Sequence, residues 1–258
     1  MVKLAVSLMK PLSEKQISLY KDYGAVLIKD VIPPPLIQEA LCSIAGVYWS
    51  EGLTGSLPEM INYLNSKNQP LLHRLHVKTS RRDVFRHIEE ALSDAFKALL
   101  LSSGYQLVGG SAGYLLGLPR DARLVYDFHQ ECHYMKGVNP ILTAHYPLNT
   151  ACTAANGAMS YLHKSSELGA IPFNKQKISN GYTNLLPIGI EKIVTAYDEI
   201  QPDIEIGDCL FFDEYCIHKS NFNSSSSPRL CGIFRVTTQK GAEGFASLSP
   251  DALSVSLL

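Results

Sequence analysis

Residues Arg123 to Tyr134 read RLVYDFHQECHY, and they set His129 and Glu131 two residues apart in a segment rich in β-formers. A strand alternates its side chains with period two, so this spacing predicts imidazole and carboxylate on one side and Gln130 and Cys132 on the other. Far downstream, GDCLFFDEYCIHKS places His218 at the end of a second apolar run, where a folded sheet could bring it beside the first pair. Two imidazoles and one carboxylate on one face of a metal leave coordination positions open, an arrangement that suits non-haem Fe(II). An H-x-E alone carries little, because it also arises by chance or as a surface hydrogen-bonding pair. Zinc is the rival metal. His133, Cys132, Cys209 and Cys216 offer ligand types, but structural zinc sites usually pair their ligands at short spacings that this sequence lacks.

Four stretches in order carry a resemblance: LSEKQISLYKDYGAVLIKDVIPP from Leu12, FHQECHY from Phe128, AANGAMSYLHKSSELG from Ala154, and GDCLFFDEYCIHKSNFNSSSSPR from Gly207. Over nearly its whole length the chain resembles the phytanoyl-CoA dioxygenase-like Fe(II)/2-oxoglutarate oxygenases. The resemblance implies an α+β fold with a double-stranded β-helix (jelly-roll, cupin-like) core and N-terminal helices packed against it. It also implies Fe(II), 2-oxoglutarate as cosubstrate, and O2. Residue by residue, it makes His129 and Glu131 the proximal ligands, His218 the distal ligand, and Arg229, 229 − 218 = 11 residues further on, the 2-oxoglutarate anchor. Two positions depart from the family pattern: Glu131 stands where Asp is usual, and Leu162-His163 where Pro-Gly is frequent.

The remote carboxylate of 2-oxoglutarate needs a cation held away from the metal, and a planar guanidinium offers two parallel donors. Arg229 fits that need and Ser220 can assist. Arg235 shares the strand face of Arg229 and is the alternative anchor; otherwise it makes a surface or rim ion pair. His133 has the strand parity of His129 and Glu131, which predicts either a pocket contact or a hydrogen-bonded core histidine. Tyr126 and Tyr134 flank the motif as further substrate-side candidates. His145, next to Tyr146 in the following strand, is a candidate for pocket lining. Gln130 should serve packing or a backbone bond, and Asn156-Gly157 a turn.

With 24 acidic and 23 basic residues the net charge is −1, so no global field recruits nucleic acid or an anionic membrane. The local basic cluster LLHRLHVKTSRR, from Leu71 to Arg82, is either an anion-recognising surface or a solvated helix entry. Six cysteines without a C-x-x-C pair fit a reducing, cytoplasmic setting. The N-terminus has a short apolar patch but no secretory signal pattern, and no run approaches a membrane span. The expected partner is a small-molecule substrate.

An apolar fraction of 46% over 258 residues supports a substantial core, and a single domain is expected over 1–258. Residues 1–103 form its mainly helical layer, 104–240 its β-rich core, and 241–258 a tail. Ser13 and Gln16 predict a capping box opening a helix that Gly24 closes. AVLIKDVI (25–32) reads as a strand, PPPLIQEALCSIAGVYW as a helix with Trp49 packed in the helical layer, and 57–64 as a helix that Gln69-Pro70 terminates. Residues 80–101 give the clearest amphipathic helix. After Gly104, short β-like runs alternate with turn residues: YQLVGG, YLLGL, ARLVYDF, ILTAHYPL, GAMSYL, KIVTAY, CLFFDEY and CGIFRVTT.

Overall fold

The computed structural model describes residues 11–177 and 183–246, without the side chains of 109–111 and 244–246. The N-terminal apolar patch and the tail beyond Ala246 lie outside the described residues. Helix α1 (Glu14–Tyr23) opens on the expected box, with the Gln16 amide donating to the Ser13 hydroxyl and the Ser13 amide donating to the Gln16 side chain. It closes at Gly24, whose φ of 71° lies in the left-handed region. Strand β1 (Ala25–Ile28) follows, then α2 (Pro34–Ser50), α3 (Leu57–Lys67), α4 (Gln69–Thr79) and α5 (Arg82–Leu100). Helix α5 buries Ile88, Leu92, Ala95, Phe96 and Leu99 along one stripe, as its periodicity predicts, with Phe85 buried in place of the expected Val84, which is only partly so.

Two expectations in this layer need correction. Gln69-Pro70 ends one helix but also starts the next: the Asn68 side chain accepts a hydrogen bond from the Leu71 amide, and Pro70 sits in the first turn, where its missing N–H has no partner to lose. Trp49 does not pack in the helical layer. It is 50% exposed, and its indole N–H donates to the Gly55 carbonyl.

The β-rich part comprises β2 (Gln106–Gly117), β3 (Leu142–Pro147), β4 (Ser160–Leu162), β5 (Phe173–Lys177), β6 (Thr183–Pro187), helix α6 (Ile190–Ala196), β7 (Glu199–Ile200), β8 (Cys209–Asp213), β9 (His218–Lys219) and β10 (Arg229–Thr237), with α7 (Gln239–Ala246) after it. Five strands form one antiparallel sheet in the order β1-β8-β3-β10-β2, and β7-β4-β9 form another. One face of the large sheet, through Tyr114, Leu116, Ala144, Tyr146, Phe211, Leu230 and Phe234, joins the core cluster of the N-terminal helices. By alternation its opposite face presents Leu210, Phe212 and Cys231, which pack with Ala158, Met159 and Tyr161 from the side of the smaller sheet. The site lies on this inner face.

Two runs read as β-like are not strands. ARLVYDF forms turns tied down by Arg123, whose guanidinium reaches Asp121, Asn65 and Gln69. KIVTAY lies mostly in α6, which follows Gly189 at a φ of 78°. Ile190, Ile193, Val194 and Tyr197 recur at helical spacing and pack with Phe128, Leu162 and Ile217. The first residues of the expected tail belong to α7.

Candidate metal centre

His129 and His218 face each other across an antiparallel bridge, each amide donating to the other's carbonyl at 2.9 and 3.1 Å. Directly opposed residues in such a pair project their side chains together, and the two imidazole centroids are 4.2 Å apart. The bridge is held from behind. Gln130, fully buried, donates to the carbonyls of Gly169 and Tyr215 and accepts from the Ile171 amide, and the Ser165 hydroxyl accepts from the Ile217 amide. Gln130 thus takes the backbone role expected for it.

The strand reading of Arg123 to Tyr134 needs correction beyond the bridge. At Glu131–His133 the chain makes a 3₁₀ turn, so side chains there no longer alternate. Glu131 still reaches the histidines, its Oε1 lying 3.5 Å from His218 Nε2. One ligand atom from each of His129, Glu131 and His218 falls within 4.8 Å of the others. Among the described residues no other group of three His, Cys, Asp or Glu does so, and the zinc alternative built on His133, Cys132, Cys209 and Cys216 is not brought together.

The donor set suits a divalent metal. His129 Nδ1 lies 2.8 Å from the Asp127 carbonyl and His218 Nδ1 lies 3.0 Å from that of Cys216, so both Nδ1–H groups donate to backbone and both Nε2 lone pairs are free. Burial, reinforced by His218, pushes the His129 imidazole down to about 3, which keeps it in the neutral, ligating form. Burial alone would raise the Glu131 carboxyl; Arg235, gripping it, overrides this and holds the group well below the usual carboxylate range. Arg235 makes the ion pair expected of it, but with the candidate ligand Glu131 rather than on the open surface. Its Nε and Nη2 grip both Glu131 oxygens at 2.7 and 2.9 Å.

Arg229 is buried on the same face of β10 as Arg235, three two-residue steps away past Cys231 and Ile233. Its Nε donates to the Asn156 carbonyl and its Nη1 to Cys231 Sγ, and among the described residues it has no carboxylate partner. Gly117, opposite it on β2, leaves the space it fills: a Cβ there would fall 2.9 Å from Nη2. Ser220 and Arg229 line one pocket with Gly117, Asp121 and Asn223. On β3, Thr143 Oγ1 and His145 Nδ1 are buried without a hydrogen-bond partner, and both residues are paired with the inner-face positions Arg235 and Ile233 of β10. A buried guanidinium without a carboxylate partner, orphaned polar atoms on the inner face and a three-ligand cluster together fit a dicarboxylic cosubstrate.

The weaker candidates divide. Tyr134 sets its ring edge against His129 at 5.5 Å while its hydroxyl accepts from the Leu185 amide, and the Tyr126 ring lies 6.1 Å from His129. His133 is turned elsewhere, its ring 4.6 Å from Phe173, because the 3₁₀ turn cancels the parity argument. Tyr146 faces the helical core, stacked near Phe234. The basic cluster is the solvated alternative: His73 and Arg74 are exposed, Arg82 pairs with Glu89, and His76 lies against Tyr114. Sequence reasoning missed Gly117, Thr143 and the carbonyl of Asn156. Only the last had a signal, in the Asn-Gly turn already singled out.

The sequence model of the phytanoyl-CoA dioxygenase (PhyH) family matches residues 20–231. No curated protein sequence matches the chain. Among solved structures, the epimerase SnoN, crystallised with Fe3+, alpha ketoglutarate and nogalamycin RO, is 16% identical with a TM-score of 0.59, over 87% of this chain and 83% of that one. EctD from S. alaskensis, with 2-oxoglutarate and 5-hydroxyectoine, is 15% identical with a TM-score of 0.60, over 94% and 83%. The carbocyclase SnoK from nogalamycin biosynthesis is 18% identical with a TM-score of 0.57, over 93% and 92%. Helices over an antiparallel core of this kind make the double-stranded β-helix fold. The chain belongs to the phytanoyl-CoA dioxygenase family, and is an iron- and 2-oxoglutarate-dependent oxygenase. Among the described residues no helix is long and apolar enough to cross a membrane.

Proposed function

We propose that this chain oxidises an unactivated C–H bond of a small metabolite, most simply by hydroxylation, with Fe(II) held by His129, Glu131 and His218. The observation that carries the reading is the convergence of these three ligand atoms within 4.8 Å, with both Nε2 atoms left free. Bound iron would supply the activation of dioxygen coupled to oxidative decarboxylation of 2-oxoglutarate. The protein's own part is positional. Asp127 and Cys216 carbonyls orient the two imidazoles, and Arg229, assisted by Ser220, takes the remote carboxylate of the cosubstrate. Thr143 and His145 would offer polar atoms to the cosubstrate, and Tyr126 and Tyr134 shape the side beyond His129.

Epimerase and carbocyclase relatives on the same fold favour a second reading of the outcome, in which the same oxidising site inverts a centre or closes a ring. The two readings differ in product mass. Incubation with Fe(II), 2-oxoglutarate and fractionated metabolite extracts should give succinate together with a product heavier by one oxygen. Loss of two hydrogens indicates ring closure or desaturation, and an unchanged mass with altered stereochemistry indicates epimerisation. Because Glu131 supplies a carboxylate, no halogen should be incorporated from chloride. Failure to form succinate with any fraction supports a binding protein without turnover.

A further inference from the structure

Glu131 is the one candidate ligand that leaves the strand register, since it starts a 3₁₀ turn and carries three side-chain torsions. Its carboxylate nevertheless sits in a defined attitude. Arg235 Nε donates to Oε2 at 2.7 Å and Nη2 to Oε1 at 2.9 Å, and only Oε1 also faces His218 Nε2, at 3.5 Å. The backbone that carries the guanidinium is held on one side: Arg235 lies opposite Thr143 of β3, while on the β2 side it falls at the register shift between Phe234 and Val236. A bidentate fork of this kind removes the torsional freedom that a longer carboxylate would otherwise keep.

We propose that Arg235 is a positioning residue for the metal site: it presents Oε1 of Glu131 to the two imidazoles and holds Oε2 away, so that the carboxylate meets the metal through one oxygen. The inference rests on the reading of His129, Glu131 and His218 as metal ligands. It explains how Glu serves in a motif where the shorter Asp is usual, because the arginine takes up the extra reach. One-oxygen ligation also keeps positions open for a chelating cosubstrate.

The test is an anaerobic Co(II) titration of the full chain without 2-oxoglutarate, followed by the metal's electronic absorption. The wild-type chain should bind one Co(II). Arg235→Met should weaken that binding by about 10- to 100-fold and alter the spectrum, the usual consequence of removing a group that orients a ligand. Arg235→Lys, which keeps charge but loses the fork, should fall between, and supplies the result if the Met variant does not fold. In a Glu131→Ala background Arg235→Met should cost little more, since the arginine acts through that carboxylate. Unchanged Co(II) affinity and spectrum in a variant that melts like wild type would overturn the proposal. So would an equal loss in the Glu131→Ala background, or an effect confined to 2-oxoglutarate binding at saturating metal, which would make Arg235 a cosubstrate anchor. A wild-type chain that binds no Co(II) would instead remove the ligand reading itself.

Discussion

At the residue scale the site depends on a few charges buried with specific partners, so single substitutions should separate its parts. Arg229 has no carboxylate of its own, and the account assigns it the remote carboxylate of 2-oxoglutarate. Arg229→Met should weaken 2-oxoglutarate binding by about 10²- to 10³-fold, because a buried anion left without its partner costs roughly 3–5 kcal/mol. Metal affinity should change little, which calorimetry with each ligand in turn would reveal. Glu131→Asp should retain part of the activity and metal affinity, since the shorter side chain can ligate but gives up the fork of Arg235. Total loss in Glu131→Asp, with folding intact, would mean that the turn cannot bring a shorter carboxylate to the histidines.

Legibility at this scale was uneven for physical reasons. His129, Glu131 and His218 could be read because ligand chemistry restricts residue types. Arg229 stands out in the sequence because a guanidinium is the apt partner for a remote carboxylate, and the structure buries it without a carboxylate of its own. The grip of Arg235 on Glu131 could not be read, because it joins residues 104 apart in sequence through a turn that breaks the expected alternation. The parity argument for His133 lapses for the same reason: alternation holds only while the backbone stays extended.

At the scale of elements, the metal site is a short cross-strand bridge with a buried clamp behind it. Gln130 satisfies three backbone groups, of Gly169, Ile171 and Tyr215, that have come together from separate loops. Gln130→Leu would leave them without that partner and should destabilise the fold by roughly 2–5 kcal/mol, with metal affinity falling as the bridge loosens. Thermal unfolding of the apo chain checks this, and a melt within error of wild type would contradict it. The helical elements were legible where caps and periodicity agreed, as in α1 and α5. Helix α4 was not, because Pro70 reads as a stop while the Asn68 cap makes it a start. Helix α6 was hidden by β-branched residues, although the spacing of Ile190, Ile193, Val194 and Tyr197 carried the helical signal.

At the scale of the whole molecule, the N-terminal helices cover one face of the large sheet and leave the other for chemistry, so the stability of the helical layer supports the site indirectly. One consequence is pH dependence. Burial, with help from His73, pushes the His76 imidazole down from 6.5 to about 4 where it lies against Tyr114. Its folded pKa is below its unfolded one, so the unfolded chain binds more protons in that window, and stability falls as pH drops from 6.5 towards 4. The loss should be on the order of 1–3 kcal/mol. Urea unfolding at either end of the window should show it in wild type and show it blunted in His76→Gln; an equal loss in both would assign the effect to other groups.

Together the three convergent side chains and Arg229 would build one composite site for metal and cosubstrate. Calorimetric titration of 2-oxoglutarate into the chain, with and without Fe(II) under anaerobic conditions, tests it most directly. One 2-oxoglutarate per chain should bind tightly when Fe(II) is present, and binding should be largely lost without metal, in His218→Ala and in Arg229→Met. Equal binding of 2-oxoglutarate with and without Fe(II), or undiminished metal-dependent binding in His218→Ala, would contradict it.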